Sequence, residues 1–167
     1  DWDVIARAKI LHTTGITAGI SKQARSTVLA MCKKAKTLGV RVSFDVNYRS
    51  RVWSREEAAK FIPKVTRFVD IFIVGREEAQ QLMAVKSQNP LEMVQEIAMQ
   101  YRLPLVVLTL GEEGSLVWDG KNSYWGPVYK VNRLNRFGAG DSFVAGFLYG
   151  VLQNDLQMAV EFGAAVA

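Results

Sequence analysis

The residues best suited to chemistry form a glycine-rich turn, Gly138-Ala139-Gly140-Asp141, which leads directly into an apolar segment. Glycines on both sides of an alanine let the backbone bend until successive N–H groups point into one cavity, and a following helix adds the positive end of its dipole. Asp141 falls in the first predicted helical turn, where a carboxylate is stabilised and can reach a group beside a bound anion. The pattern predicts a phosphate site with a neighbouring carboxylate, which favours phosphoryl transfer.

Two better-known glycine-rich motifs do not fit this turn. A dinucleotide-binding fingerprint needs its third glycine where Phe143 stands, and a Walker A loop needs Gly-Lys-Ser/Thr, which occurs nowhere in the chain. An isolated Gly-Ala-Gly-Asp is also compatible with an ordinary tight turn that carries a capping aspartate. Turn chemistry alone therefore leaves a purely structural interpretation open.

A second group of polar residues, Asp45, Asn47 and Arg49, follows a predicted buried strand at residues 40–44. In open parallel sheets ligands bind at the carboxyl edge of the strands. The planar guanidinium of Arg49 suits a carboxylate or a phosphate, although a surface salt bridge is an alternative role. Asn47 could donate to sugar hydroxyls or hold the loop, and the sequence does not separate the two.

The elements that must position these residues alternate between strands and helices, which predicts a parallel α/β sandwich around one core. Strands are predicted at residues 9–13, 40–44, 70–74, 104–109 and 115–118, and an edge strand at 124–131. Helices are predicted from about 22 to 38, 54 to 68 with an interruption near Pro63, 90 to 101, 140 to 152, and from 155 onward. Residues 14–19 read as a polar loop, and Asp119-Gly120 as the start of a hairpin.

Helix starts carry their own signals: Ser54 with Glu57 forms a capping box, and Asn89 and Asp155 are predicted caps. His12 is interpreted as a hydrogen-bonded residue within the first strand. Cys32 lies on an apolar helical stripe and is predicted to be in the core.

Composition excludes several function classes. The net charge is +5, but Lys and Arg are scattered and form no basic stripe with interleaved aromatics, which argues against nucleic acid as a partner. One cysteine excludes an internal disulfide, and one histidine leaves no zinc ligand set. No apolar run is long enough for a membrane span and Asp1-Trp2-Asp3 is not a signal peptide, so we expect a cytoplasmic protein without a membrane partner.

The stretch at residues 135–147, Asn-Arg-Phe-Gly-Ala-Gly-Asp-Ser-Phe-Val-Ala-Gly-Phe, resembles the C-terminal signature of the ribokinase-like (PfkB) carbohydrate kinases. Residues 44–53 resemble the D-x-N-x-R…W stretch of the branch that contains 2-keto-3-deoxygluconate kinases and fructokinases. Residues 76–79, Arg-Glu-Glu-Ala, resemble the acidic N-x-x-E region of the family, and residues 108–115 its nucleotide-side glycine turn. The similarity spans essentially the whole chain.

The resemblance implies that the chain folds as a three-layer αβα sandwich with a mostly parallel sheet. It also implies that the protein is a sugar kinase that depends on ATP and Mg²⁺. It implies that Asp141 is the general base and contacts the sugar, beside an anion hole formed by the amides of Gly138, Ala139 and Gly140. Nucleotide binding is implied for Thr109, Gly111 and Gly114, sugar binding for Asn47 and Arg49, and organisation of the Mg²⁺ shell, through water, for Glu78. The expected reaction is phosphorylation of a primary hydroxyl of 2-keto-3-deoxygluconate, with fructose or another sugar as the alternative.

The chain departs from the family pattern at three positions. Gly75 stands where the family has the asparagine of N-x-x-E, and Asn135 stands where an aspartate often helps to hold a monovalent cation, which weakens the case for potassium. Ala164 replaces an asparagine that is common there, so adenine contacts are not carried over.

Members of the family are considerably longer than 167 residues. Residues 1–167 are therefore expected to be a partial ribokinase-like core domain, without the N-terminal part that bears the lid and without the C-terminal end. Since dimers of the family usually form through the lid, we expect a homo-oligomer of the complete protein. We expect no activity of this piece alone, because without the lid nothing excludes water from the transfer site. A nucleotide- or sugar-binding module without catalysis is the alternative from another class.

Overall fold

The computed structural model describes residues 2–129 and 137–167. Within these ranges six strands form one sheet in sequential order. The strands are β1 Ile10–Thr14, β2 Arg41–Asp45, β3 Ile71–Gly75, β4 Val106–Thr109, β5 Ser115–Trp118 and β6 Ser123–Gly126. The pairings among β1, β2, β3 and β4 are parallel, and β5 and β6 add antiparallel to the edge. The sheet is therefore mostly parallel, as predicted.

Helices lie on both faces of this sheet. In chain order the described helices are α1 Trp2–Ala6, α2 Gly15–Gly19, α3 Lys22–Thr37, α4 Arg55–Val65, α5 Arg76–Met83, α6 Pro90–Tyr101, α7 Ala139–Leu152 and α8 Leu156–Val166. Short 3-10 turns occupy Thr66–Phe68 and Gly111–Glu113. Buried side chains from α3 to α6 share one apolar cluster with one face of the sheet, whereas α7 and α8 form a second cluster with the other face. This arrangement confirms the three-layer αβα sandwich.

The central strands are apolar because both of their faces are covered. In β3, Phe72 and Val74 face the cluster of α3 to α6, whereas Ile71 and Ile73 face α7 and α8. Successive side chains of a strand point to opposite faces, so one short apolar run contributes to both layers. Cys32 is fully buried in the first cluster, as predicted.

The predicted helix caps are present. The Ser54 hydroxyl accepts from the Glu57 N–H, and the Glu57 carboxylate accepts from the Ser54 N–H. Asn89 and Asp155 cap α6 and α8 through their side-chain oxygens. These contacts fix where α4, α6 and α8 begin, and hence where the preceding loops end.

Helices α7 and α8 pack unusually closely through small residues. A Cβ added at Gly150 would collide with the Cα of Ala159, and one added at Gly163 would lie 3.0 Å from the carbonyl oxygen of Phe143. The two helices thus contact each other near both ends of α7, and their apolar side chains cover one face of the sheet.

Three local predictions were wrong. Residues 15–19 form the short helix α2 rather than a loop, because Gly15 and Gly19 let this segment approach Val46 and Trp53. Pro63 does not interrupt α4 but lies in its last turn, and the break into a 3-10 turn comes only after Val65. The edge strand predicted at 124–131 is shorter, since β6 ends at Gly126; residues 130 and 131 lie outside the described residues.

No helix in residues 2–129 or 137–167 is long and apolar enough to cross a membrane.

Candidate active site

The candidate residues gather at the carboxyl ends of β2, β3 and β4. The loop at residues 46–54 follows β2, helix α5 follows β3 directly, and the 3-10 turn Gly111–Glu113 follows β4. Since these strands are parallel neighbours, their three connections lie at one edge of the sheet. The predicted sugar, metal and nucleotide residues therefore lie on adjacent connections.

The start of α7 has the backbone geometry expected of an anion site. Gly138 is the residue before the helix and has φ of +80°, a left-handed conformation that favours glycine. The Ser142 N–H donates to the Gly138 carbonyl at 2.7 Å, so the N–H groups of residues 139–141 are those without a preceding helical turn. Apart from its chain neighbours and the backbone of its own helix, a Cβ added at Gly140 would meet no described atom within 4 Å, which leaves open space beside these amides.

Asp141 lies in the first turn of α7 and is exposed. Its negative charge raises the pKa of the Asp45 carboxyl and also acts on His12, so it lies near the ends of β1 and β2. The asparagine at 135, which bears on the monovalent cation, is outside the described residues.

Asp45 is the last residue of β2 and lies among several charged groups. Burial, above all, raises the pKa of its carboxyl to about 7, and the charges of Glu78 and Asp141 add to this. A hydrogen bond from the Asn47 backbone and the positive charge of Arg49 act in the opposite direction. Asp45 therefore lies where the loop after β2, helix α5 and helix α7 meet.

Glu78 joins two of these connections. Its Oε1 accepts from the Tyr48 N–H at 2.6 Å, and its Oε2 accepts from the Gly75 N–H at 2.8 Å. Burial raises the pKa of this carboxyl, although both hydrogen bonds and the charge of Arg49 oppose the shift. The side chain thus ties the loop after β2 to the start of α5.

Asn47 and Arg49 belong to this same loop. Asn47 has φ of +35°, and Arg49 is exposed. The charge of Arg49 lowers the pKa of both Asp45 and Glu78, which places its guanidinium near them. Arg49 and Asp141 therefore flank the same carboxyl group, although they are far apart in sequence.

The predicted nucleotide residues lie on the next connection. Thr109 ends β4 and pairs in register with Gly75 of β3. Gly111 and Gly114 have φ of +62° and +91°, and the Leu110 N–H donates to the Gly114 carbonyl at 2.9 Å. These positive φ values explain both glycines by turn geometry, and a nucleotide role remains a prediction.

A direct metal cage is not visible in the described part of the chain. Residues 2–129 and 137–167 contain no group of three or more His, Cys, Asp or Glu side chains placed to hold a metal ion together. Both oxygens of Glu78 already accept backbone N–H groups. A carboxylate oxygen can accept more than one bond, so Glu78 can still contact a metal ion through water.

Sequence reasoning gave no role to three residues near this site. Asp45 follows a predicted buried strand, and this position at the carboxyl end of a strand was the one sequence feature that could have indicated a role in the site. Arg76 and Glu113 form an ion pair across 37 positions, for which the sequence contains no signal. His12 was interpreted correctly as a hydrogen-bonded strand residue, because its Nδ1 lies 3.1 Å from the Ser43 hydroxyl.

Comparison with known proteins identifies the family. The sequence model of the pfkB family carbohydrate kinases matches residues 1–167. The chain belongs to this family. The PfkB assignment agrees with the mostly parallel three-layer fold and with the order of the motifs along the chain.

A curated relative and two solved structures show what the chain is similar to. The 5-dehydro-2-deoxygluconokinase of Geobacillus kaustophilus is 34% identical over 172 residues, which cover 100% of this chain and 51% of that protein. The structure of 2-dehydro-3-deoxygluconokinase from Thermotoga maritima superposes with a TM-score of 0.91 at 28% identity, covering 99% of this chain and 56% of that one. A Vibrio cholerae fructokinase with bound fructose, ADP and calcium has a TM-score of 0.78 at 33% identity, covering 93% and 52%.

The chain thus spans about half the length of these PfkB proteins.

Proposed function

We propose that the protein containing this chain transfers the γ-phosphoryl group of ATP to a primary hydroxyl of a small sugar acid, 2-keto-3-deoxygluconate. The observation that supports this best is the start of α7. There, a left-handed glycine, helix N-terminal amides and an exposed carboxylate lie beside a cluster that includes Arg49, Asp45 and Glu78. The cluster provides one place for an anion, a base and an acidic substrate.

In this proposal Asp141 is the general base. It accepts the proton of the substrate hydroxyl as the oxygen attacks the γ-phosphorus, and the bond from that phosphorus to the β-phosphate oxygen breaks to leave ADP. The amides of Gly138, Ala139 and Gly140 stabilise the charge on the equatorial oxygens of the phosphoryl group. The open space beside Gly140 supports this placement, because the phosphoryl group needs close access to these amides.

The residues present fit Mg²⁺ when it is held mainly by nucleotide phosphates and water. Mg²⁺ in proteins usually keeps several waters and takes one or two carboxylates, so it does not need a dedicated cage. Glu78 would hold it through water. The ion would supply charge neutralisation at the nucleotide phosphates. Thr109, Gly111 and Gly114 would bind the nucleotide on the neighbouring connection.

The choice of a sugar acid depends on Arg49. Arg49 is exposed, and its charge acts on Asp45 and Glu78. Its planar fork suits a carboxylate. Two of the proteins compared are named as deoxygluconokinases, that is, as kinases of sugar acids, and the name 2-dehydro-3-deoxygluconokinase corresponds to the proposed substrate. Fructose is the second candidate, supported by the fructokinase that contains bound fructose.

Product formation from a panel of sugars tests the proposal. ADP release is measured with 2-keto-3-deoxygluconate, its isomer 5-dehydro-2-deoxygluconate and fructose, for wild type, Asp141→Asn and Arg49→Ala. Asp141→Asn should lower kcat about 10²–10⁴-fold on whichever sugar is used. Arg49→Ala should raise the KM for the acids and leave that for fructose unchanged.

Each result has a clear reading. Near wild-type turnover of Asp141→Asn would contradict its role as base. Equal activity of Arg49→Ala on the acids would remove the reason for choosing an acid. Calorimetry that finds nucleotide or sugar binding without any ADP release would instead favour a non-catalytic binding module.

A further inference from the structure

An ion pair joins the segments that follow β3 and β4, next to the predicted nucleotide residues. Arg76 is the first residue of α5, directly after β3, and Glu113 ends the 3-10 turn after β4. Nη1 of Arg76 lies 2.6 Å from Oε1 of Glu113, and Nη2 lies 2.8 Å from Oε2. The contact is therefore a bidentate pair of parallel hydrogen bonds, which fixes orientation as well as distance.

The two partners differ in how firmly they are held. The Arg76 side chain is 26% exposed and its Nε is buried without a hydrogen-bond partner among the described residues, whereas the Glu113 side chain is 65% exposed. The Nε atom of the guanidinium thus lies against the protein, whereas Nη1 and Nη2 donate to Glu113. Arg76 is the more buried partner, and Glu113 is the residue of the turn that it contacts.

The turn itself is fixed at its other end. The Gly114 N–H donates to the Gly111 carbonyl at 3.2 Å, and a Cβ added at Gly114 would lie 2.7 Å from the Gly126 carbonyl oxygen of β6. Gly114 is therefore packed against β6. In the exposed half of the turn, Glu113 contacts Arg76 of α5.

We propose that Arg76 is a positioning residue that, through Glu113, holds the turn at Gly111–Gly114 in the conformation that binds the nucleotide. This inference rests on the proposed function, in which Gly111 and Gly114 bind ATP. Because Glu113 is largely exposed, the pair contributes little to overall stability. Its effect should instead appear in the affinity for ATP. Without Arg76 the turn keeps its backbone hydrogen bonds but moves more freely at Glu113, and it must lose that freedom when the nucleotide binds.

The test uses kinetics of the longest polypeptide that contains this chain. Arg76→Gln, Glu113→Gln and the double variant are compared with wild type for kcat, for the KM of ATP, for the KM of the sugar, and for Tm. Arg67→Gln is the matched control, because it removes an exposed arginine at the opposite edge of the sheet. Each single variant should raise the KM for ATP by up to about fivefold, or about 1 kcal/mol, the upper range for an exposed ion pair, while kcat, the KM of the sugar and Tm stay close to wild type.

Three comparisons identify the bidentate contact as the cause. The double variant should be no worse than either single variant, since both remove the same contact. Arg76→Lys keeps the charge but not the fork, so it should also raise the KM for ATP. The charge-reversed pair Arg76→Glu with Glu113→Arg should restore much of the affinity that either reversed single variant loses.

The results separate this inference from the proposed function. If wild type is active but Arg76→Gln and Glu113→Gln keep the wild-type KM for ATP, the positioning role is wrong and the kinase proposal stands. Equal losses in the KM of ATP and of the sugar, or a loss of Tm that accounts for the change, would also overturn it. If wild type converts no sugar with ATP, the proposed function fails and this inference fails with it.

Discussion

At the scale of single residues, the glycines at the start of α7 matter to the candidate site as much as its charged side chains do. Gly138 has a left-handed backbone conformation at the start of α7, and this conformation explains why a glycine occupies the position. Gly140 has helical geometry, and an added Cβ would meet no described atom within 4 Å. The described residues therefore give no packing reason for the glycine at 140, whereas the proposed approach of a phosphoryl group would give one.

Gly140→Ala should separate activity from stability. The added methyl group meets nothing in the described fold and favours the helix, so the free energy of unfolding should stay the same or rise by no more than about 1 kcal/mol. Turnover should fall about 10²-fold, because the methyl group displaces the transferring phosphoryl from the amides. Steady-state kinetics and chemical denaturation measure the two effects, and wild-type turnover of the variant would show that the space is not used.

Asp45 should make stability depend on pH. Its pKa is raised to about 7 in the folded state, against about 3.9 for an unperturbed aspartate, so between these values the folded protein holds a proton that the unfolded chain releases. The contribution of this group to stability is complete below about pH 4 and is lost as the pH rises through 7. At three pKa units it amounts to roughly 4 kcal/mol at most.

Asp45→Asn should therefore reduce the decline of stability between pH 4 and pH 8. The free energy of unfolding, measured by urea denaturation at several pH values, should fall less steeply for the variant than for wild type. Identical slopes for the two proteins would contradict a raised pKa of Asp45.

At the scale of elements, sequence patterns predicted correctly those features that depend only on residues close together in the chain. Ser54 with Glu57, Asn89 and Asp155 begin helices as predicted, because a cap needs only neighbouring backbone. The sequence could not predict α2, because Gly15–Gly19 has a loop-like composition and its helix is set by packing on Val46 and Trp53. The grouping of Asp45 with Glu78 and Asp141 likewise depends on which strands are neighbours.

Gly150→Ala should weaken the contact between α7 and α8. The new Cβ would collide with Ala159, so the two helices must separate, and overpacking of this kind typically costs about 1–3 kcal/mol. Thermal or chemical denaturation measures the loss. Gly140→Ala is the matched control, since it makes the same change in the same helix without a collision, and equal stability of the two variants would contradict the close packing.

At the scale of the whole molecule, the chain spans about half the length of the PfkB proteins compared with it. The candidate residues lie at an open edge of the sheet, with Asp141 and Arg49 both exposed. Phosphoryl transfer needs a site from which water is excluded, because water competes with the sugar hydroxyl and weakens the electrostatic contacts.

Residues 1–167 alone should therefore form no ADP from ATP and any sugar of the panel. A coupled assay with the purified chain checks this, with Asp141→Asn as the background control. ADP formation that depends on sugar and disappears in Asp141→Asn would show that the chain excludes water by itself.

The separation of Arg49 and Asp141 onto different connections also has an evolutionary consequence. The loop after β2 and the start of α7 belong to different segments of the chain and to different layers of the sandwich, although both lie near Asp45. If the proposed roles hold, a lineage could therefore acquire a new substrate through a few exchanges in one loop while inheriting the transfer chemistry. Exchanging residues 46–53 between homologous enzymes is the corresponding route for engineering altered selectivity.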